Sequence, residues 1–404
     1  MQRRRIGVFF GGQSPEHEVS VITGLQVVAA LDPSRFEVTP VYVTKDGHWY
    51  IGSQLGDIKQ YAAIPSLVEK VTEVSVASGP GRTLALVGRK MSFLGAPKEI
   101  LLDVAFLAFH GGSGENGAVQ GLCETFNVPF TGSGIAASAI GMDKVLSKKM
   151  CQMVGVPIVE WVEVWEFDWR GKEAANLAEI ADKIGFPAIV KPVRLGSSIG
   201  IAKVKDVTEL DNAIEEAFRY DASVLIEKCI PNLREINCSV LGGGVECQVS
   251  VLEEPVSGEG VLSFKDKYMR DGSSAKSGGA KTERAAGMAS LDRLIPAPIS
   301  QELGDEIGNL AIKVFKALNC SGVVRIDFLM DDATQNVWFN EINTIPGSFS
   351  FYLWQPTGIP FDSLVEKLID LAISSFENRS GRVRSYEVNL LASRSAGGLK
   401  GGKS

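Results

Sequence analysis

Two apolar segments near the C-terminus carry the residues most able to do chemistry: Arg325 and Asp327 in one, Glu341 and Asn343 in the other. Side chains two apart on a strand share a face. Each pair therefore points one way if its segment is extended. The polar run 331–335 between the segments reads as a turn, and pairing across it sets Asp327 opposite Glu341. Two carboxylates and an amide oxygen then meet beside a guanidinium. Such hard oxygen donors suit Mg2+ (or Mn2+), which also takes waters and phosphate oxygens. Phe328, Leu329, Trp338 and Phe339 mark both strands as buried, and a buried carboxylate needs a partner, which a cation provides. The competing arrangement is a solvated sheet edge with a surface ion pair.

Other candidates sit where loops leave strands. Lys191 ends an apolar run and is followed by Arg194 and by Gly196-Ser197-Ser198-Ile199-Gly200. Glycines let backbone N–H groups approach an anion, and a lysine adds a point charge; an ordinary hairpin has the same composition, and the P-loop pattern is absent. Glu16 lies in Gly11-Gly12-Gln13-Ser14-Pro15-Glu16, between the first strand and first helix. The spacing fails the dinucleotide fingerprint. A carboxylate there suits a substrate ammonium, and equally suits the dipole of the helix it starts. His110 ends a third apolar strand in the same kind of position. A basic stretch with Lys265, Lys267, Tyr268, Arg270, Lys276, Lys281 and Arg284 reads either as a solvated loop or as a lid that closes over phosphates and excludes water.

The elements that position these groups follow from periodicity. Strands at 6–10, 36–43 and 104–109 alternate with a helix at 19–31, which indicates a parallel sheet wound with helices; the stretch 53–100 is an insertion with no clear place. A helix from 143 to 154, strands at 188–191, 201–204 and 224–227, and a helix at 210–220 form a small α+β unit. Strands at 235–241 and 246–251 make a hairpin around Gly242-Gly243-Gly244. A helix at 301–318, strands at 323–330 and 336–343 and a closing helix at 361–376 complete the chain. The expected division is 1–140 for an N-terminal substrate-binding α/β domain, 141–234 for a central unit and 235–376 for a C-terminal unit with its lid loop at 254–289. The polar remainder, 377–404, is expected to be mostly a flexible tail.

Composition narrows the classes. The chain has 404 residues, 41 Lys plus Arg against 48 Asp plus Glu, and a formal net charge of −7. That length calls for two or three domains, and that charge disfavours diffuse binding to nucleic acid or an anionic membrane. No apolar run approaches the ~20 residues of a membrane span, and the five after the basic N-terminus fall short of the ~7–15 of a signal peptide. The six scattered cysteines lack metal-site spacing and read as reduced thiols. A cytoplasmic enzyme is the expectation.

Taken in order, Gly11-Gly12-x-Ser14-x-Glu16-x-Glu18-Val19-Ser20, His110-Gly111, Gly132-Ser133-Gly134 with Met142-Asp143-Lys144, Lys191-Pro192 with Gly196-Ser197-Ser198, Lys267-Tyr268, Arg325-Ile326-Asp327 and Asn340-Glu341-Ile342-Asn343-Thr344-x-Pro346-Gly347 resemble the D-alanine–D-alanine ligases of the ATP-grasp superfamily. The resemblance runs from about residue 5 to about 375. It implies a pre-ATP-grasp domain followed by a two-part ATP-grasp fold, with ATP between the two parts. It also implies a homodimer, D-alanine as the small-molecule substrate, and a place in peptidoglycan synthesis. Lys144, Lys191 and Lys267 would contact phosphates. The stretch Glu227-Lys228-Cys229-Ile230 would frame the adenine, and Glu235 would bind ribose. Asp327, Glu341 and Asn343 would hold the metal. Glu16 would take the first substrate's ammonium in a network with Ser197 and Tyr268, and Arg325 and Gly347 would stabilise the oxyanion.

The implied chemistry converts one carboxylate to an acylphosphate, which the amine of a second molecule attacks. Where many members of the family place a serine for the second substrate's carboxylate, this chain has Tyr352, with Ser350 or a backbone amide as the substitute. Tyr268 favours an amine acceptor over a hydroxyl. The alternatives are the same chemistry with D-serine, D-lactate or another amino acid, or a different ATP-grasp carboxylate–amine ligase.

Overall fold

The computed structural model describes residues 3–91, 97–244, 246–256 and 293–383. Lys267 and Tyr268, with the loop expected to form a lid from residue 257 on, lie outside the described residues, as does the tail from 384.

The first sheet has seven strands in the order Pro97–Leu102, Leu84–Met91, Thr72–Ser78, Trp49–Ile51, Phe36–Val43, Arg4–Gly11, Val104–Leu107. The last three are parallel neighbours. The central one, Arg4–Gly11, is buried over its last six residues, the near-continuous apolar pattern of a strand covered on both faces. The stretch 53–100 finds its place here, supplying three antiparallel strands that extend the parallel core outward. Their apolar residues are interleaved with Glu, Ser and Arg, as half-covered strands require.

The second sheet is antiparallel throughout, in the order Ala202–Val204, Ala188–Pro192, Ser223–Lys228, Trp161–Trp165. The edge strand Trp161–Trp165 was not expected from the sequence; the helical Glu166–Trp169 follows it directly and masks its boundary. Helix Val207–Ala217 is capped by Asp206, whose carboxylate accepts the Glu209 N–H at 2.9 Å. It buries Leu210, Ile214 and Ala217, one face at i, i+4 and i+7, against Ile180 and Trp169.

The third sheet runs Arg293–Leu294, Glu246–Pro255, Leu233–Gly243, Ser321–Asp331, Val337–Asn343, again antiparallel. Helix Gln301–Ala317 packs beneath it through Leu303, Ile307, Leu310, Ala311 and Val314. At ~1.5–3 kcal/mol per fully buried aliphatic side chain, this face is a principal source of the unit's stability. The closing helix runs from Phe361 to Ser380, four residues into the expected tail. Its Leu364, Val365, Leu368 and Ile369 join the core built on Ile6, Val8 and Phe106, so the end of the chain is packed on its beginning. Gly322 lets the two units approach: its φ is +77°, and a Cβ there would stand 2.8 Å from the Gly132 Cα. No described helix is long and apolar enough to cross a membrane, and all six cysteines are unbridged.

Candidate active site

Strand register builds a polar row across the third sheet. Glu253 pairs with Asn237, Asn237 with Asp327, and Asp327 with Glu341. Four adjacent strands thus place two glutamates, an aspartate and an amide side by side, and all four residues line one pocket. The expected opposition of Asp327 and Glu341 is realised. Arg325, two residues before Asp327 and buried, donates from Nε to Asp327 Oδ1 at 2.7 Å and from a terminal nitrogen to Oδ2 at 2.8 Å. Asn343 Nδ2 donates to Asp327 Oδ2 at 3.2 Å. Lys144 Nζ stands 3.4 Å from Glu341 Oε2 and donates to the Leu195 carbonyl at 2.6 Å.

No group of three His, Cys, Asp or Glu side chains placed to hold a metal exists among the described residues. Two carboxylates with a nearby amide still fit Mg2+, an ion that draws much of its shell from phosphates and water. The Asn343 amide need only turn to present its oxygen.

Glu16 occupies the N-cap position of helix His17–Ala30. Its carboxylate accepts a hydrogen bond from the Ser197 hydroxyl. A Cβ on Gly111 would fall 2.5 Å from Ser14 Oγ and 2.9 Å from Glu16 Oε2; that glycine, at φ +67°, keeps room for the acid. Ser197 and Ser198 are themselves left-handed, at φ +55° and +57°, a strained pair of the kind that clusters at ligand sites.

His110 is buried, and protein groups engage both of its nitrogens. Nδ1 lies 2.9 Å from the Ile345 carbonyl and Nε2 2.8 Å from Thr23 Oγ1. A carbonyl only accepts, so Nδ1 carries the hydrogen and Nε2 accepts from the threonine. Thr23 Oγ1 in turn accepts the Ser348 N–H at 3.1 Å. Burial lowers the imidazole's basicity, and it stays neutral. The histidine thereby ties the first sheet to the loop carrying Gly347. Within that loop Ser348, Phe349 and Ser350 are all left-handed, at φ +48°, +53° and +50°. The Phe349 ring packs edge-on against Phe106 at 5.4 Å between centroids.

Glu115 is a second buried acid beside this loop. It accepts N–H groups from Gly111 at 2.9 Å and Ile345 at 3.2 Å. Burial, and then the neighbouring Glu16, raise its carboxyl from 4.5 to about 7. Between those two values the folded protein holds a proton that the unfolded chain has released. Stability from this group is therefore full below pH 4.5 and falls as pH rises through 7. Thermal melts from pH 5 to 8 should show this decline in the wild type and a flatter profile in Glu115→Gln.

The second and third sheets face each other across a cleft of about 570 Å3, lined by Ile189, Lys191, Glu227, Lys228, Ile230, Glu235, Asp327, Leu329, Asn340 and Glu341 among others. Glu235, Asp327 and Glu341 also line the polar-row pocket, so the two spaces meet at the metal-binding candidates. Aliphatic walls suit an adenine ring, and lysines beside carboxylates suit phosphates with their cation. Lys191 pairs with Glu227 and donates to Asn340 Oδ1 at 3.1 Å. Lys148, wholly buried, stands 2.6 Å from the other Glu227 oxygen and donates to the Phe339 carbonyl at 3.3 Å. Burial alone would raise the Glu227 carboxyl; the two lysines outweigh it and hold it at about 2.

Sequence reasoning missed Lys148, Glu115, Asn237, Glu253 and Arg293. Lys148 follows Lys144 by four residues on a helix whose buried face is Lys144, Ser147, Lys148 and Cys151, and that spacing was the available signal. Arg293 offered none. Ser350 is buried and Tyr352 half-buried, and neither is among the pocket's lining residues. Tyr352 donates its hydroxyl to Glu253 Oε1 at 3.2 Å.

An N-terminal α/β unit packed on two antiparallel sheets, with lysines and a carboxylate row at the cleft between them, defines an ATP-grasp enzyme. Family models match in two parts: the D-ala D-ala ligase N-terminus over residues 5–133 and the D-ala D-ala ligase C-terminus over 150–370. The chain belongs to the D-alanine–D-alanine ligase family. It is 35% identical to a D-alanine–D-alanine ligase of Thermosipho africanus, covering 95% of this chain and 97% of that protein. Identity to the Caldicellulosiruptor bescii enzyme of the same name is 37%, over 96% and 99%. Among solved structures, the D-alanine-D-alanine ligase from Coxiella burnetii superposes with a TM-score of 0.75 at 27% identity, covering 98% and 99%. The VanG D-Ala:D-Ser ligase from Enterococcus faecalis gives 0.74 at 29%, covering 92% and 100%.

Proposed function

We propose that this chain joins two D-alanine molecules, at the expense of ATP, into D-alanyl-D-alanine for peptidoglycan. The observation that carries the reading is the meeting of the two spaces at Asp327 and Glu341. A nucleotide in the cleft then presents its terminal phosphate to a small pocket that also holds Glu16, Arg325 and Gly347.

Glu16, oriented by Ser197, takes the ammonium of the first D-alanine. The carboxylate oxygen of that D-alanine attacks the terminal phosphorus, ADP leaves, and an acylphosphate of D-alanine forms. Lys144 and Lys191 spread the developing charge, Glu227, Lys228 and Ile230 bound the base, and Glu235 receives the ribose. Mg2+ at Asp327, Glu341 and Asn343 would neutralise phosphate charge in that transfer. The second molecule, its amine deprotonated, attacks the acyl carbon. Arg325 and the Gly347 backbone stabilise the tetrahedral oxyanion, and the carbon–oxygen bond to phosphate then breaks. His110 acts by fixing the Gly347 loop to the first sheet. Lys267 and Tyr268 would complete the site.

The likeness to both a D-Ala-D-Ala and a D-Ala:D-Ser enzyme means that the fold does not separate acceptors. The test is ADP release with D-alanine alone and with D-alanine plus D-serine or D-lactate, followed by product mass. The dipeptide D-alanyl-D-alanine is expected. No ADP release with D-alanine would overturn the reading, and a mixed product dominating at equal concentrations would move it to another acceptor.

A further inference from the structure

The reading above leaves open what receives the second substrate, and this inference rests on that reading. Any amino acid that attacks the acylphosphate brings a carboxylate into the polar-row pocket, beside Glu16, Glu253 and Asp327, where an unneutralised anion is costly. Three described cations line it: Lys144, Arg293 and Arg325. Lys144 lies against Glu341, at the nucleotide end of the polar row. Arg325 grips Asp327 with two nitrogens. Arg293 stands at the opposite end. It donates to Glu253 Oε2 at 2.5 Å, and its guanidinium lies over the Tyr352 ring, 4.1 Å from the centroid.

This arginine is built in. Its side chain is 6% exposed and that of Glu253 is fully buried. The other Glu253 oxygen accepts from Asn237 Nδ2 at 3.1 Å and from the Tyr352 hydroxyl at 3.2 Å. Glu253 is thus held from two sides while it holds the arginine, and the aromatic face fixes the plane of the fork. Asp327 and Glu253 are two strands apart, roughly 10 Å at the usual spacing. That is room for an acceptor to lie between the reacting centre and Arg293.

We infer that Arg293 selects the acceptor by receiving its carboxylate, with Glu253 and Tyr352 as positioning residues. The acceptor class is then small α-amino acids with a free carboxylate; amides of the same amino acids are rejected. Tyr352 contributes here through the arginine it supports.

The experiment compares D-alanine with D-alaninamide as acceptors, at saturating ATP and with D-alanine as donor, reading ADP release and product mass. A charge-assisted contact sets the wild-type preference for the carboxylate at about 10- to 100-fold in kcat/KM. Arg293→Met should bring the ratio near one, and Arg293→Lys should leave it intermediate. The KM for ATP should stay within about 2-fold in both, since the nucleotide cleft lies at the other end of the row. Tyr352→Phe, which removes one hydroxyl, should lower the ratio without abolishing it, and it serves if the methionine variant does not fold. A wild type that makes dipeptide but uses the amide equally well overturns the inference alone. So do variants that lose activity on both acceptors at an unchanged ratio. A wild type that releases no ADP with any amino acid overturns the ligase reading and this inference together.

Discussion

Asp327→Asn should fail twice. The first loss is structural. Arg325 is buried and makes both of its ion-pair hydrogen bonds to Asp327, and weakening a buried pair from one side costs about 3 kcal/mol. The melting temperature should fall without any ligand present. The second loss is chemical. The row retains Glu341 as its one carboxylate at the cleft, and the charge that a divalent cation must balance is halved there. Metal-assisted charge stabilisation is worth several kcal/mol, so turnover should drop roughly 10^3-fold. Titrating Mn2+ against enzyme and a non-hydrolysable ATP analogue separates the two effects, because a merely unstable protein still binds the ion when kept cold. Turnover within 10-fold of wild type would remove Asp327 from the proposed metal set.

Lys148→Met should act on ATP affinity, although Lys148 is not among the residues lining the cleft. Glu227 has two lysine partners. If Lys191 is to serve a phosphate, it must loosen its hold on Glu227, and a buried carboxylate left alone is costly. Lys148 covers that carboxylate while Lys191 turns. Without it, Lys191 becomes the sole partner and is held in place. The KM for ATP should rise about 10- to 100-fold, in the range of losing one charge-assisted contact, with kcat at saturating ATP within a few-fold. The acid limit should move as well. A carboxyl held at about 2 contributes stability that is full above its ordinary value of 4.5 and is lost as pH falls toward 2. With one lysine gone, Glu227 titrates higher and acid unfolding begins at a higher pH. An unchanged ATP KM would show that Lys191 does not depend on this relay.

The sequence revealed the metal-binding candidates because strand alternation is a local rule: Asp327 and Glu341 are 14 residues apart across one turn. The remainder of their row was hidden by distance. Asn237 meets Asp327 through pairing between segments some 90 residues apart, and Glu253 meets Asn237 across a hairpin with a register shift between Cys238 and Val240. One residue of slip sends a side chain to the other face, so no reading of either strand alone could place them. The stretch 53–100 was obscure for a related reason. Its strands have value only as extensions of a sheet whose parallel part is formed by Phe36–Val43, Arg4–Gly11 and Val104–Leu107. Lys148 and Glu115 were missed because burial of a charge is a tertiary fact. Lys191 and Glu16 stood out because loops after strands are where ligands meet a sheet.

The turn at Ser348–Phe349–Ser350 winds opposite to an ordinary helix. Each L-residue held that way costs about 1–2 kcal/mol, whereas mirror-image residues would sit there at ease. Semisynthesis could therefore place D-serine at 348 or 350 and relax the segment with no change in chemical composition. The protein so made should melt higher than its all-L parent. The change in its turnover would then measure how far the reaction draws on a backbone kept under tension.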